Sequence, residues 1–183
     1  MKKIILLLLF TSFCFSQSKN FIQYVNPLIG TKKMGHVFPG ATTPFGMVQL
    51  SPETNYMNMF IDKKYNPETY KYCAGYQYDD NTIFGFSHTH LSGTGHSDLG
   101  DFLIMPTVGK LNLEPGQVST PKSGFHSQFS HQNEIAQVGY YKVKLDDYNI
   151  SAELTTSERV GFHQYTFPKS DEAHIILDLM YSI

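Results

Sequence analysis

Hydrophobic and polar residues alternate with a period of two through the second half of the chain. Tyr141, Val143 and Leu145 are separated by Lys142 and Lys144, and Ile150, Ala152 and Leu154 by Ser151 and Glu153. A pleated strand sends successive side chains to opposite faces, so each run buries one face and wets the other. Asp146-Asp-Tyr-Asn149 supplies turn chemistry between them, and the two runs read as an antiparallel hairpin. Residues 159–167 predict a third strand stopped by Pro168, and residues 174–183 a buried fourth. Upstream, Phe45-Gly-Met-Val-Gln-Leu50 and Phe102-Leu-Ile-Met105 are short apolar runs, closed by the Ser51-Pro52 turn and by Pro106. Residues 82–90 read as a strand that sets Phe84, Phe86, His88 and His90 on one face. No stretch sustains a helical period. The expected fold is all-β, an antiparallel β-sandwich. Residues 55–78 carry no period and predict a long surface excursion, of the kind that serves function.

The two ends change the picture. Lys2 and Lys3 precede an apolar run from Ile4 to Phe10, and Cys14 and Ser16 occupy the −3 and −1 positions of a cleavage site. This is the pattern of a secretory signal over residues 1–16, which leaves a mature chain starting at Gln17 and bound for the periplasm or the medium. The run is shorter than the roughly 20 residues that span a bilayer, so no transmembrane segment is expected. Removing two lysines and no acid takes the formal charge from −2 to −4. No basic run is present, which argues against nucleic acid as a partner. One cysteine, Cys73, then remains, so the domain must rely on its core. Apolar residues continue almost to Ile183, and residues 17–183 are expected to be a domain cut short at its C-terminal end.

The densest chemistry lies in Phe86-Ser-His-Thr-His-Leu-Ser-Gly-Thr-Gly-His-Ser-Asp-Leu-Gly-Asp101. Three glycines in eight residues let the backbone reach positive φ and approach a ligand closely. Three readings stay open from these residues alone. His88 and His90 with a following Asp suit a transition metal. Histidines, short hydroxyls and carboxylates on a constrained loop suit a polyol. Hydrogen-bonded structural histidines beside a tight turn suit the same pattern.

Nine stretches in order resemble glycoside hydrolase family 92. They are Tyr24-Val-Asn-Pro-Leu-Ile-Gly-Thr31, Gly35-His-Val-Phe-Pro-Gly-Ala41, Pro44-Phe-Gly-Met-Val-Gln-Leu-Ser-Pro52 and Cys73-Ala-Gly-Tyr-Gln-Tyr78. The rest are Gly85-Phe-Ser-His-Thr-His-Leu-Ser-Gly-Thr-Gly95, Ser97-Asp-Leu-Gly-Asp101, Phe129-Ser-His131, Gly139-Tyr-Tyr141 and Arg159-Val-Gly-Phe-His163. The resemblance implies the N-terminal β-sandwich of a calcium-dependent exo-α-mannosidase acting on mannan or N-glycans. Its missing partner would be an (α/α)6 barrel that carries the catalytic carboxylates and the Ca2+ ligands of an inverting mechanism. No catalytic or metal-ligating residue is then expected within these 183 residues.

By that resemblance this domain supplies one wall of a mannose-binding pocket. The wall comprises Phe38, Pro39, Gly40, His88, His90, Ser92, Gly93, Thr94, Gly95, His96, Asp98 and Asp101. Tyr70 and Tyr72 stand where many relatives carry a stacking tryptophan, and this chain has no tryptophan. A tyrosine retains an apolar face for a sugar's C–H side. His96 departs from the small residue or cysteine of many relatives. Cys73, His131 and His163 are expected to be structural, and Asp146 and Asp147 to be turn residues. Two further readings remain: a non-catalytic carbohydrate-binding or scaffold module, and a metallohydrolase built on His88 and His90.

Overall fold

The computed structural model describes residues 20–58, 60–93, 95 and 99–181. The predicted signal segment and the candidates Thr94, His96 and Asp98 lie outside the described residues. Strands β1 (Ala41–Thr42), β2 (Gln49–Glu53), β3 (Phe60–Ile61), β4 (Lys64–Tyr65), β5 (Thr82–Ile83) and β6 (Gly85–Ser87) come first. Then follow β7 (Leu103–Val108), β8 (Ser127–Gln128), β9 (Glu134–Gln137), β10 (Tyr140–Leu145), β11 (Ile150–Thr156), β12 (Gly161–Thr166) and β13 (Ala173–Asp178).

A five-stranded sheet in the order β1-β2-β6-β7-β13 faces a four-stranded sheet in the order β12-β11-β10-β9. Their pairings are antiparallel. The predicted hairpin forms in the expected register, with Tyr141 opposite Leu154, Val143 opposite Ala152 and Leu145 opposite Ile150. These six inward side chains are buried against Leu50, Phe86, Leu103, Met105 and Ile176 of the other sheet. Full burial of one such aliphatic side chain contributes about 1.5–3 kcal/mol, and this shared layer holds the sandwich together.

Four sequence expectations need correction. Pro52 and Pro106 do not end strands: Pro52 pairs with Phe86 inside β2, and Pro106 with Ile175 inside β7. Proline removes a ladder donor, which is tolerated where one flank is unpaired. The β1 ladder stops at Leu50 and the β6 ladder with β7 involves Ile104 alone, so each proline lies beyond one neighbour's reach. Residues 45–48 form no strand. Phe45 sits at φ 59° with its side chain fully exposed.

The predicted strand over residues 82–90 is split. β5 pairs with β8, whereas β6 joins the main sheet, and the chain leaves strand geometry after Ser87. Finally, β13 is an edge strand and only half buried. Ile176 faces the core, but Ile175 and Leu177 are 61% and 56% exposed on its open face. The excursion over residues 55–78 holds the small β3–β4 hairpin and a 3-10 helix, Pro67–Tyr72, capped by the Asn66 side chain, which accepts from the Glu68 N–H.

Candidate functional site: the glycine loop and its buried supports

The glycine-rich loop is closed at its base by three bonds. Thr89 Oγ1 donates to Asp101 Oδ2 at 2.5 Å, and the Gly100 N–H reaches both the Thr89 carbonyl and its hydroxyl. Asp101 takes a left-handed φ of 55° to do this, so its carboxylate acts as a loop clamp. Nearer the tip, the Gly93 N–H donates to the His36 carbonyl at 2.6 Å. His36 is itself buried and left-handed, and its ring meets Tyr70 edge-on at 5.0 Å. A side chain on Gly95 would collide with the Tyr70 hydroxyl and crowd the His36 ring. Glycine is therefore required where the loop passes this pair.

Below the loop lies a buried carboxylate. Glu53, at the end of β2, is wholly inaccessible. Its Oε1 accepts from Ser87 Oγ and lies 2.6 Å from His90 Nε2; its Oε2 accepts from the Tyr181 hydroxyl at 2.6 Å. The other ring nitrogen of His90, Nδ1, lies 2.6 Å from the Gln49 carbonyl. A carbonyl only accepts, so Nδ1 carries a proton, and a further proton must lie between Nε2 and Oε1. Burial, then the charge of Glu53, pushes the Tyr181 hydroxyl well above its ordinary value and keeps it a donor. Gly75 makes this arrangement fit: a Cβ there would lie 2.0 Å from Glu53 Oε2.

A serine, a histidine and a carboxylate in contact invite comparison with a nucleophile triad. In such a relay the serine and the carboxylate hold opposite ring nitrogens. Here both meet Nε2, and Nδ1 is taken by backbone, so the cluster is a structural seat for the loop. His90 thus has no ring nitrogen left for a ligand. It supports Phe38 instead, whose ring centroid lies 5.1 Å away.

His88 and His90 do not share a face, because the alternation breaks after Ser87. Ser87 and His90 converge on Glu53, while His88 crosses to the other sheet. Its Nε2 lies 3.1 Å from His163 Nε2 on β12, and its ring stacks on Phe102 at 4.6 Å. Beyond it, His163 Nδ1 meets the Tyr165 hydroxyl at 2.6 Å. The metal site imagined on His88 and His90 is not formed. No group of three or more His, Cys, Asp or Glu among the described residues is arranged around a common point.

An open groove of about 330 Å³ runs beside the loop, with Phe38, Gly40 and Ser92 on its wall together with Val25 and Ile29. Val37 and the turn residues Val138 and Gly139 border the same groove. Pro39, between Phe38 and Gly40 in the chain, is buried. Tyr70 joins the loop through His36 and is 43% exposed. Tyr72 turns its hydroxyl to Asp80 at 3.4 Å and its ring to Lys71. Glu53, His36 and Tyr165 were not singled out from the sequence. Glu53 follows the predicted Ser51-Pro52 turn among polar neighbours, and nothing in that local pattern signals its burial.

The architecture is shared with solved structures of glycoside-cleaving enzymes. The alpha-mannosidase BT3965 from Bacteroides thetaiotaomicron, solved in complex with mannoimidazole, is 43% identical, with a TM-score of 0.80 over 88% of this chain and 20% of its own. The inverting mannosidase BT2199 from Bacteroides thetaiotaomicron VPI-5482 is 27% identical, with a TM-score of 0.65 over 86% of this chain and 19% of that one. An uncharacterized secreted glycosidase of Arthroderma benhamiae is 28% identical over 154 residues, 82% of this chain and 18% of the relative. The chain thus spans about a fifth of the length of these relatives. Residues 24–183 match the glycosyl hydrolase family 92 N-terminal domain, and the chain belongs to that family.

Proposed function

We propose that this chain is the carbohydrate-facing front domain of an exported exo-α-mannosidase. The complete protein would remove terminal mannose from mannan or N-glycan chains with inversion, the acid and base carboxylates lying outside residues 1–183. The observation that carries this reading is the family match, joined to 43% identity with an alpha-mannosidase solved with mannoimidazole. Export is supported by the leader-like residues 1–16 and by the Arthroderma relative's description as secreted. Among the described residues no helix is long and apolar enough to cross a membrane.

Calcium assistance belongs to the same proposal, but the described residues do not fit the ion. Calcium takes six to eight oxygen ligands. The buried carboxylates Glu53 and Glu134 are already engaged by protein groups, Glu134 by Tyr76, Tyr141 and His131. The residues of this chain would act by shape: the loop backbone and Phe38 wall the groove, Tyr70 offers a ring face to a sugar's C–H side, and both exclude water.

The test is hydrolysis of an aryl α-mannoside by the complete protein, with the first-formed anomer read by NMR. β-Mannose is the expected product, and residues 1–183 alone should be inactive. First-formed α-mannose would refute inversion. Absence of turnover by the complete protein, with mannan binding retained, would favour a non-catalytic module.

A further inference from the structure

The outer face of the four-stranded sheet carries a groove of about 500 Å³. Its shape follows from side-chain length. Lys144, Ser151 and Thr166 stand directly opposite one another across β10, β11 and β12, so two short hydroxyl residues form the floor of the row. In the next row Ile135 and Lys142, paired across β9 and β10, carry long side chains and form one bank. Phe167, Pro168 and Asn149 form the other bank, and Gln132 and Asn133 close one end. The depression therefore crosses the strands, open along its length.

Its chemistry is mixed in a specific way. Among the described residues, the side chains of Gln132, Asn133, Lys144, Asn149, Ser151 and Thr166 make no hydrogen bond within the chain. They offer amide, hydroxyl and ammonium groups between the apolar side chains of Ile135 on one bank and Phe167 and Pro168 on the other. Lys142 is neutralised by Glu153 at 3.2 Å, so the groove is not a strongly cationic surface suited to a polyanion. Polar groups on the floor and ends beside apolar banks match a ligand that carries hydroxyls on its edges and C–H groups on its faces. The larger cavity, of about 570 Å³ beside Lys110 and Tyr148, is less receptive. There Asn112, Asp147 and Tyr148 already spend their polar atoms on backbone partners.

We propose that this groove is an accessory glycan site that holds an uncharged oligosaccharide segment of the polymer whose end is cleaved elsewhere. The assignment rests on the α-mannosidase reading above. Holding a remote segment raises the effective concentration of chain ends without touching the reacting bond.

The test compares two substrates on the complete protein, an aryl α-mannoside and mannan. Asn133→Ala with Lys144→Ala removes polar groups, and Ser151→Tyr fills the floor. Both variants should raise the KM for mannan about tenfold, a loss of ~1.4 kcal/mol, and leave the aryl mannoside kinetics and Tm unchanged. Unchanged mannan kinetics in both variants overturns the site. So does a parallel change with both substrates, or a large fall in Tm, which would mean that the face is packed against the rest of the protein. Wild-type protein inactive on both substrates counts against the enzyme reading instead. Retardation in a mannan-containing native gel, lost in both variants, would then still establish the groove; equal retardation of wild type and variants would overturn it.

Discussion

His88 and His163 meet nitrogen to nitrogen, their Nε2 atoms 3.1 Å apart, and in doing so tie the end of β6 to β12 across the sandwich. One proton fits between two imidazole nitrogens, so the contact is lost when both rings are charged. Burial, then the facing His88 ring, pushes His163 down to about 4, and burial, then His90, lowers His88.

The pH dependence of stability has a definite sign. The unfolded chain binds these protons near the ordinary histidine value, and the folded chain resists them. Stability from the pair is thus complete above about pH 6.5 and is lost as pH falls towards about 4, by up to about 3 kcal/mol for His163. Denaturant midpoints measured across that window should slope less in His163→Gln than in the wild type. Equal slopes would rule out the pair as the source.

Removing the Glu53 carboxylate strips partners from Ser87, His90 and Tyr181 together. Breaking a buried charged pair from one side costs about 3–5 kcal/mol, and Glu53→Ala should fall in that range. Glu53→Gln keeps the shape and can donate to His90 Nε2, so it should cost much less. Chemical unfolding of both variants decides the matter; a mild Glu53→Ala would mean the cluster does not seat the loop.

Two glycines separate conformational strain from crowding. Gly75 and Gly93 have nearly the same φ, +75° and +74°, but a Cβ on Gly93 meets open space and one on Gly75 meets Glu53. Gly93→Ala should cost about 1–2 kcal/mol from backbone strain alone. Gly75→Ala should cost at least about 2 kcal/mol more, because Glu53 is pinned and cannot swing aside. Similar losses in thermal unfolding would contradict the packing described at Gly75.

Sugar stacking is expected at Tyr70 and not at Tyr72. Tyr70 is 43% exposed beside the loop, whereas Tyr72 is engaged with Asp80 and Lys71. In the complete protein, Tyr70→Ala should weaken mannoside binding about tenfold and Tyr70→Phe hardly at all. Calorimetry with a mannoside checks this, and a stronger effect from Tyr72→Ala would reverse the assignment.

Alternation alone determined the β10–β11 hairpin, its register and its inward residues, because a period of two is a local property that burial of one face enforces. Ordered short stretches of sequence likewise identify the family by themselves. Tertiary structure decided what alternation could not reach. Pro52 and Pro106 stay within strands because their neighbours end, and strand order is a non-local fact. Continued alternation placed His88 and His90 together, but the chain leaves the sheet after Ser87, and each ring then answers to a partner distant in sequence: His163, 75 residues away, and Glu53, 37 away. Hydrogen-bond satisfaction of buried polar groups is settled by what packs nearby, and sequence spacing carries no record of that.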